Sequence, residues 1–446
     1  MSTARSVALG ALLQVETNEG YSNIVIDKAL KSAGLDARDA ALATQLFYGV
    51  LEKRLRLDYA IARFSKLPLS KLDARVLEIL RIAVYQILFL EKIPKSAAVN
   101  EAVNLAKEGK SVKASGFING ILRSLSRADP EKLLPDAKKD PLRYQSMFYS
   151  CPEWLISLWK SSYGEACTEG LLESTLIRAP IFLRVNTQKI SVEELMRILE
   201  NSAVKVNAII EVPGAIRLEN AGSVASLPGF GEGLFHIQDL SSQICCLLAD
   251  PKPGSKVIDV CSAPGGKAFT LAEWMKDSGI LLAFDKYKGK VGLIRSGAQR
   301  LGLSCIQASV RDALEAEGSP DPADIVLCDA PCSGLGILRR KPEIRYKEKA
   351  SLDSLPDLQY RILYQSSKLC RPGGKLIYST CTLNPAENGE VAGRFLQENE
   401  EFEPLPLELP DKLIRGIPEP ENQCTLFPHL HQTDGFFLSA FRRRET

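Results

Sequence analysis

The sequence predicts an α/β Rossmann-like fold in its C-terminal half, preceded by a small α+β subdomain and an all-helical N-terminal domain. Three observations carry this. From Gln238 onward short apolar strands alternate with helical segments, a spacing that requires parallel strands joined by crossover helices. The first of those strands runs into Asp259-Val-Cys-Ser-Ala-Pro-Gly-Gly-Lys267, a Gly-rich turn opening a helix, as in doubly wound sheets that hold nucleotide-like ligands. Residues 1–127 show helical periodicity and no strand signal.

Taken in order, apolar residues recur at helical spacing in Val7-Leu9-Leu12-Leu13, Leu42-Leu46-Val50 and Val76-Ile79-Leu80-Ala83. Breaks fall at Gly34, Pro68 and Pro94, and Ser96 is the expected cap of a helix through Lys107. Asp129 to Pro152, richer in Pro, Lys and Asp, reads as a connection. Pro152 to Tyr163 reads as helix and Phe182 to Asn186 as strand. Ser191 opens a helix through Leu199, with Glu194 completing a capping box. Val204–Val212 and Ala215–Glu219 read as strands. The C-terminal strands are expected at Lys256–Val260, Gly279–Phe284, Ser304–Ala308, Ala323–Cys328 and Lys375–Ser379. The period-2 run Gly435–Phe441 is expected at an antiparallel edge. The predicted domains are residues 1–140, 150–235 and 236–446.

At 446 residues the chain is too long for one core, and its 45% hydrophobic and 25% charged content is that of an ordinary soluble protein. The longest apolar run, Ile82 to Leu90, is broken by Gln86 and too short for a bilayer. The apolar start has no cleavage pattern and reads as a first helix rather than a signal peptide. Eleven cysteines without a C-x-x-C pair, and only three histidines, argue against zinc and against a disulfide framework. No metal, no membrane and a reducing, cytoplasmic setting are the expectations. Residues 1–140 hold 22 basic against 16 acidic residues, net +6; the remainder holds 34 against 38, net −4. That asymmetry favours a polyanion partner for the N-terminal part.

The residues that carry chemistry follow the strands. Cys261-Ser262-Ala263-Pro264-Gly265-Gly266-Lys267 follows the first, Asp285 the second, Asp312 the third, Asp329 to Gly334 the fourth and Thr380-Cys381 the fifth. In open α/β sheets ligands bind at this edge. Asp285 stands 19 residues past Gly266, near the spacing at which an acid meets ribose hydroxyls. Cysteines at such an edge point to attack on an electron-poor ring. Cytosine carbon 5 is a poor nucleophile until a thiolate adds to carbon 6, so Cys332 and Cys381 suit methyl transfer to that carbon. Asp329, three residues before Cys332, suits stabilisation of charge at ring nitrogen 3. Cys245, Cys246, Cys328 and Cys370 read as small buried hydrophobes. The run Arg339, Arg340, Lys341 and Arg345, close after Cys332, reads as a phosphate contact. Neither Tyr346 nor Phe269 receives a role, since aromatics at such positions are more often core.

Four stretches carry a resemblance: Asp259–Lys267, Asp329-Ala-Pro-Cys332-Ser-Gly334, Arg339-Arg-Lys-Pro-Glu-Ile-Arg345 and Tyr378-Ser-Thr-Cys381-Thr-Leu-Asn-Pro-Ala-Glu-Asn-Gly389. On them the chain resembles, over its whole length, the RNA cytosine-5 methyltransferases of the Nop/Sun family, in the bacterial Fmu/RsmB type that acts on 16S ribosomal RNA. Ser262, where alanine is common, and Lys341 and Arg345 are small departures. The resemblance implies a class I S-adenosylmethionine-dependent methyltransferase domain, an RNA-recognition-like subdomain and a NusB-like RNA-binding domain. It implies that Cys261 to Lys267 hold the methionine end and ribose, Asp285 the ribose hydroxyls, Asp312 the adenine edge, and that Asp329 stands at the reacting centre. It further implies that Cys381 attacks carbon 6 while Cys332 assists release. In DNA cytosine-5 enzymes the Pro-Cys cysteine attacks instead, so position alone leaves the two roles reversible.

The expected partner is 16S ribosomal RNA, free or in early assembly, acted on by a monomer. Transfer RNA as substrate and a non-catalytic RNA-binding factor are the competing readings. A DNA, nitrogen or oxygen acceptor is disfavoured by the upstream modules or by the thiol pair.

Overall fold

The computed structural model describes residues 2–17, 21–108, 111–219, 224–315, 318–413 and 418–445. The chain divides into two units, Met1–Leu176 with Leu338–Lys347, and Ile177–Ile337 with Glu348–Thr446. Among the described residues no helix is long and apolar enough to cross a membrane.

The first unit is helical: α1 (Ala4–Glu16), α2 (Ser22–Ala33), α3 (Ala37–Ala62), α4 (Ala74–Phe89), α5 (Lys95–Lys107), α6 (Ser115–Ser126), α7 (Pro141–Tyr149) and α8 (Glu153–Ser174). Thr3, Asp36 and Asp73 cap α1, α3 and α4 by accepting first-turn N–H groups. Ser96 is not a cap. Pro94 occupies that position with φ −55°, so the helix starts before Ser96 is reached. The expected connection from Asp129 to Pro152 contains α7, which is capped by Asp140 with Pro141 in its first turn. Leu46, Phe47, Leu57, Ile61, Ile79 and Leu80 form the centre of the helical core.

A 3₁₀ turn, Pro342–Tyr346, belongs to this unit and carries Arg345, which is 1% exposed. Its guanidinium donates to the carbonyls of Glu52, Tyr149, Ser150 and Leu338 at 3.3–3.4 Å. The Tyr346 hydroxyl donates to the Leu51 carbonyl at 2.7 Å. Arg345 therefore does not stand at a phosphate-accessible surface as its sequence position suggested. Its Nη1 and Nη2 groups are taken by backbone acceptors that would otherwise be buried without partners.

In the second unit, β1 (Ile181–Val185), β2 (Lys205–Ile209), β3 (Ala215–Glu219) and β4 (Phe235–Ile237) make an antiparallel sheet in the order β2-β3-β1-β4. It is backed by α9 (Val192–Asn201), whose Ser191–Glu194 capping box forms as predicted. The large sheet contains β5 (Lys256–Asp259), β6 (Ile280–Asp285), β7 (Ile306–Val310), β8 (Ala323–Asp329), β9 (Cys370–Thr380), β10 (Phe402–Pro404), β11 (Gln423–Leu426) and β12 (Phe436–Arg443). Its order is β10-β12-β9-β8-β5-β6-β7, with β11 also pairing β12. Strands β5 to β9 are parallel. α10 (Leu240–Ala249), α11 (Gly266–Trp274) and α12 (Lys288–Leu301) pack on one face, and α13 (Leu355–Ser367) and α14 (Gly389–Glu398) on the other.

The terminal strand is antiparallel as expected, but it is not an edge. β12 pairs β9 on one side and β10 and β11 on the other. Phe436 to Phe441 are buried without interruption, the pattern of a strand covered on both faces. Its covering partners are only three and four residues long and carried little strand signal.

Arg345→Ala should destabilise the helical unit by about 2–4 kcal/mol, because it leaves a void and several buried carbonyls without donors. Urea melts of the full chain measure this. A loss below about 1 kcal/mol would return Arg345 to the candidates for RNA contact.

Candidate active site

The parallel strands run β5 to β6 to β7 outward, then return to β8 on the other side of β5. The switch point of the sheet therefore lies between the ends of β5 and β8, where a doubly wound fold opens a crevice. Asp285 and Asp329 end β6 and β8, Cys381 directly follows β9, and Asp312 lies two residues past β7. All the cofactor-loop, acid and cysteine positions singled out in the sequence thus lie at one edge.

Across the switch point the Lys267 ammonium donates to Asp329 Oδ2 at 2.6 Å, while the Ser379 hydroxyl donates to Asp329 Oδ1 at 2.7 Å. Burial alone would lower the Lys267 pKa, but the adjacent carboxylate overrides it and the ammonium is held above its usual range. The loop before it turns through Gly265 at φ 108°, where a Cβ would also overlap the Phe269 ring. Gly265 thus starts α11 in a conformation suited to glycine and turns the first N–H groups of the helix toward the edge. The Cys261 side chain packs into the core, so that residue offers backbone and not thiol.

Asp259, at the end of β5, is 1% exposed, and neither of its carboxylate oxygens completes a hydrogen bond. The Ser262 hydroxyl and the Cys261 N–H pull its pKa down, but burial and then Asp329 dominate and push it up to about 7. Ser262 Oγ is likewise buried and, though near the Asp259 carboxyl, completes no hydrogen bond among the described residues. Asp285 accepts from the Tyr287 N–H at 2.9 Å, with Lys290 Nζ 3.8 Å away. Asp312 accepts from Lys286 Nζ at 2.8 Å and from the Leu314 N–H at 3.1 Å, which hold its carboxyl below the usual range.

The two cysteines meet, with Sγ to Sγ at 3.4 Å and both thiols free. The Cys332 thiol is pushed well above its ordinary range by its hydrogen bond to Cys381 and by burial. Their loops are joined by backbone. The Gly336 N–H donates to the Cys381 carbonyl at 3.0 Å and the Gly435 N–H to the Gly336 carbonyl at 2.9 Å. A Cβ at Gly336 would overlap the Gly435 carbonyl oxygen, so nothing larger fits this approach. Cys245, Cys246, Cys328 and Cys370 are buried, as expected.

One residue was passed over in the sequence. Glu387 is 0% exposed, and its Oε2 accepts from the Ser333 N–H and Gln359 Nε2, each at 2.8 Å. Its Oε1 accepts from Asn384 Nδ2 at 2.9 Å, and its carbonyl from the Tyr378 hydroxyl at 2.6 Å. It ties the residue after Cys332 to the turn after Cys381, and its charge adds to the rise of the Cys332 thiol. The only available signal was an acid inside the Cys381 motif.

Of the proposed RNA contacts, Arg339, Arg340, Lys341 and Arg345 all fall in the helical unit. Arg339 and Arg340 are half-buried, and the Lys341 ammonium lies 3.8 Å from the centre of the Tyr21 ring. Phe269 sits beneath the cofactor loop, edge-on to His236.

Three family descriptions match successive parts of the chain: the NusB family at residues 2–127, a ferredoxin-like domain of the RsmF/B-like methyltransferases at 151–225, and "16S rRNA methyltransferase RsmB/F" at 246–442. A probable ribosomal RNA small subunit methyltransferase B of Bacillus subtilis (strain 168) is 38% identical over 99% of each chain. The chain belongs to the RsmB/F family of 16S rRNA methyltransferases. The ribosomal RNA small subunit methyltransferase B of Erwinia tasmaniensis is 31% identical over 98% of each chain. Among solved structures, PH0851 matches with a TM-score of 0.86 at 27% identity over 99% of each chain. A methyltransferase homolog protein from Pyrococcus horikoshii matches with a TM-score of 0.60 at 29% identity, covering 68% of this chain and 99% of that one. The RsmB/F match contains Asp259 to Lys267, Asp285, Asp312, Asp329, Cys332, Cys381 and Glu387.

Two predictions follow from this geometry. Asp259 has a folded pKa of about 7 against an ordinary value of 3.8. The folded state therefore holds an extra proton between those pH values, and stability falls as pH rises through that window, by up to about 4 kcal/mol. The buried Glu273 carboxyl, pushed up to about 8 by burial against the opposing pull of Arg184, adds a slope of the same sign. Asp259→Asn should flatten the part of the loss between about pH 4 and 7, measured as urea-melt stability at steps across that range. An unchanged slope would show that Asp259 is not a protonated acid in the fold. Glu387→Gln turns an amide N–H toward donors and should slow methyl transfer about 10- to 100-fold. By removing a nearby charge it should also move the alkaline limb of the pH–rate profile to lower pH. A slower enzyme with an unmoved profile would limit Glu387 to a structural part.

Proposed function

We propose that this chain methylates carbon 5 of a cytosine in 16S ribosomal RNA, using S-adenosylmethionine, with Cys381 as attacking thiol and Cys332 assisting release. The observation that carries the reading is the 3.4 Å sulfur pair at the sheet edge. Methylation of a nitrogen or oxygen needs no sulfur nucleophile; an unactivated ring carbon does. The names of the full-length relatives, ribosomal RNA small subunit methyltransferase B, support the RNA class.

The strand-end residues fit S-adenosylmethionine. Ser262 Oγ and the Asp259 carboxyl are buried polar groups that complete no hydrogen bond among the described residues, and the turn at Gly265 has a positive φ that suits glycine. Asp285 and Asp312 end the next two strands, where acids can accept from ribose hydroxyls and the adenine edge. Bound there, the cofactor supplies an electrophilic methyl group. The remaining chemistry belongs to the chain. Cys381 adds through its sulfur, as the thiolate, to carbon 6, and the electron pair of the 5,6 double bond moves to carbon 5. As negative charge spreads to ring nitrogen 3, that atom takes a proton from solvent water, and the Asp329 carboxylate, oriented by Lys267 and Ser379, accepts the resulting N–H; the proton returns to solvent when the ring is restored. After carbon 5 is methylated its proton passes to a base, the double bond re-forms and the Cys381 thiolate leaves. Cys332, after passing its own proton to solvent, is close enough to Cys381 for its thiolate to take the carbon 5 proton and become the thiol again. The N-terminal helical domain, 1–140, and the subdomain at 150–235 are assigned to RNA binding, and 236–446 to catalysis.

The test is transfer of a labelled methyl group from S-adenosylmethionine to unmodified 16S RNA, with transfer RNA and DNA alongside, followed by mass-spectrometric mapping. A 5-methylcytosine in 16S RNA is expected. Cys381→Ala should abolish turnover with cofactor binding kept, while Cys332→Ala should trap a covalent RNA adduct that survives denaturation. An adduct from Cys381→Ala and none from Cys332→Ala would reverse the two roles. Label in transfer RNA alone would change the substrate.

A further inference from the structure

On α3, Lys53, Arg56, Tyr59 and Arg63 recur at spacings of three and four residues, which puts them along one face. That face meets α7 and the end of α4, and side chains from all three interleave. The Arg56 guanidinium lies 5.0 Å from the Phe89 ring centre and 5.5 Å from that of Phe148. Arg63 and Arg143 flank the Tyr59 ring at 6.0 and 5.9 Å. Tyr144 stacks on Phe148 at 5.7 Å. Arg63 and Arg143 are exposed, and Lys53 and Arg56 are half-buried.

The ordering of these cations by rings rather than carboxylates is the informative feature. A salt bridge fixes a guanidinium and cancels its charge; an aromatic face fixes it and leaves the charge in place. Asp58, on the same helix, is held by both Nε and Nη2 of the buried Arg81 at 2.7 Å. Burial, with Arg345 and Arg56 near and Glu52 opposing, brings the Lys53 ammonium down to about 8. The face thus concentrates positive charge on side chains whose conformations are already restricted, which is what a phosphodiester backbone requires of its binding surface.

We propose that this stripe, Lys53, Arg56, Arg63 and Arg143 with Tyr59 and Phe148 between them, is a binding site for the RNA phosphate backbone on the helical unit. The proposal rests on RNA being the substrate. It moves the phosphate contact from the 339–345 run, where Arg345 is buried, to α3 and α7.

The experiment is a salt titration of the full chain binding an unmodified 16S RNA transcript. It compares the parent, Arg63→Glu/Arg143→Glu, and a charge-matched control, Lys31→Glu/Lys107→Glu, on exposed positions of α2 and α5. Both arginines of the test variant are exposed, so its thermal midpoint should match the control's. The stripe variant should lose about tenfold or more in affinity, and its slope of log K against log salt should shrink by about 1.4, or about 0.7 per lost contact to single-stranded RNA. The control should keep the parent slope. Equal losses in both double variants, or parent-like binding by the stripe variant, would overturn the site. If the parent still methylates the same transcript in that case, the methyltransferase reading stands. A parent that neither binds nor methylates the transcript would overturn both.

Discussion

The bond between Lys267 and Asp329 is the interaction on which the catalytic edge depends. It joins the loops after β5 and β8 across the point where the sheet reverses its order, at 2.6 Å and largely out of solvent. Removing one partner of such a buried pair typically costs about 3–5 kcal/mol, because the other charge is stranded. Ser379 at the end of β9 completes the arrangement on the second carboxylate oxygen. Three neighbouring strand ends are thereby held in register by one carboxylate. The same negative charge makes a second buried anion behind it unfavourable, which is part of why the Asp259 carboxyl is pushed up to about 7.

The sulfur pair lies one turn beyond this bridge and relies on a different restraint. Its spacing comes from two glycines, Gly336 and Gly435, whose backbones touch, and from Glu387, whose carboxylate accepts from both cysteine loops. Two thiols in contact share one proton more readily than they lose two, and Glu387 opposes a second negative charge at Cys332. Sequence position alone left the two roles interchangeable.

What the sequence made legible follows from what generates a local signal. The five parallel strands were visible because each is an apolar run bounded by turns, and their ends marked the edge to which the cofactor loop, the acids and the cysteines belong. β12 was visible as a strand but not as an interior one, because its partners β10 and β11 span three and four residues. Ser96 fits the cap preference, but Pro94 starts the helix first. Glu387 looked like any acid in a turn; only the three donors that converge on it distinguish it.

Charge is where sequence and structure diverge most, and the reason is physical. A guanidinium in a sequence is a charge with five donors, and nothing local tells whether those donors meet carbonyls, a ring or solvent. Arg345 closes the basic run that starts at Arg339, yet its Nη1 and Nη2 meet four carbonyls in the helical core. Arg56, Arg63 and Arg143 are far apart in sequence and attract no notice as a run, yet the helices bring them to one aromatic face. Arg345 can be buried because backbone dipoles, spread over four acceptors, solvate a cation that is weakly hydrated to begin with. The excess of six positive charges over residues 1–140 is a property of the whole segment, whereas its capacity to meet phosphate depends on which of those cations packing leaves at the surface.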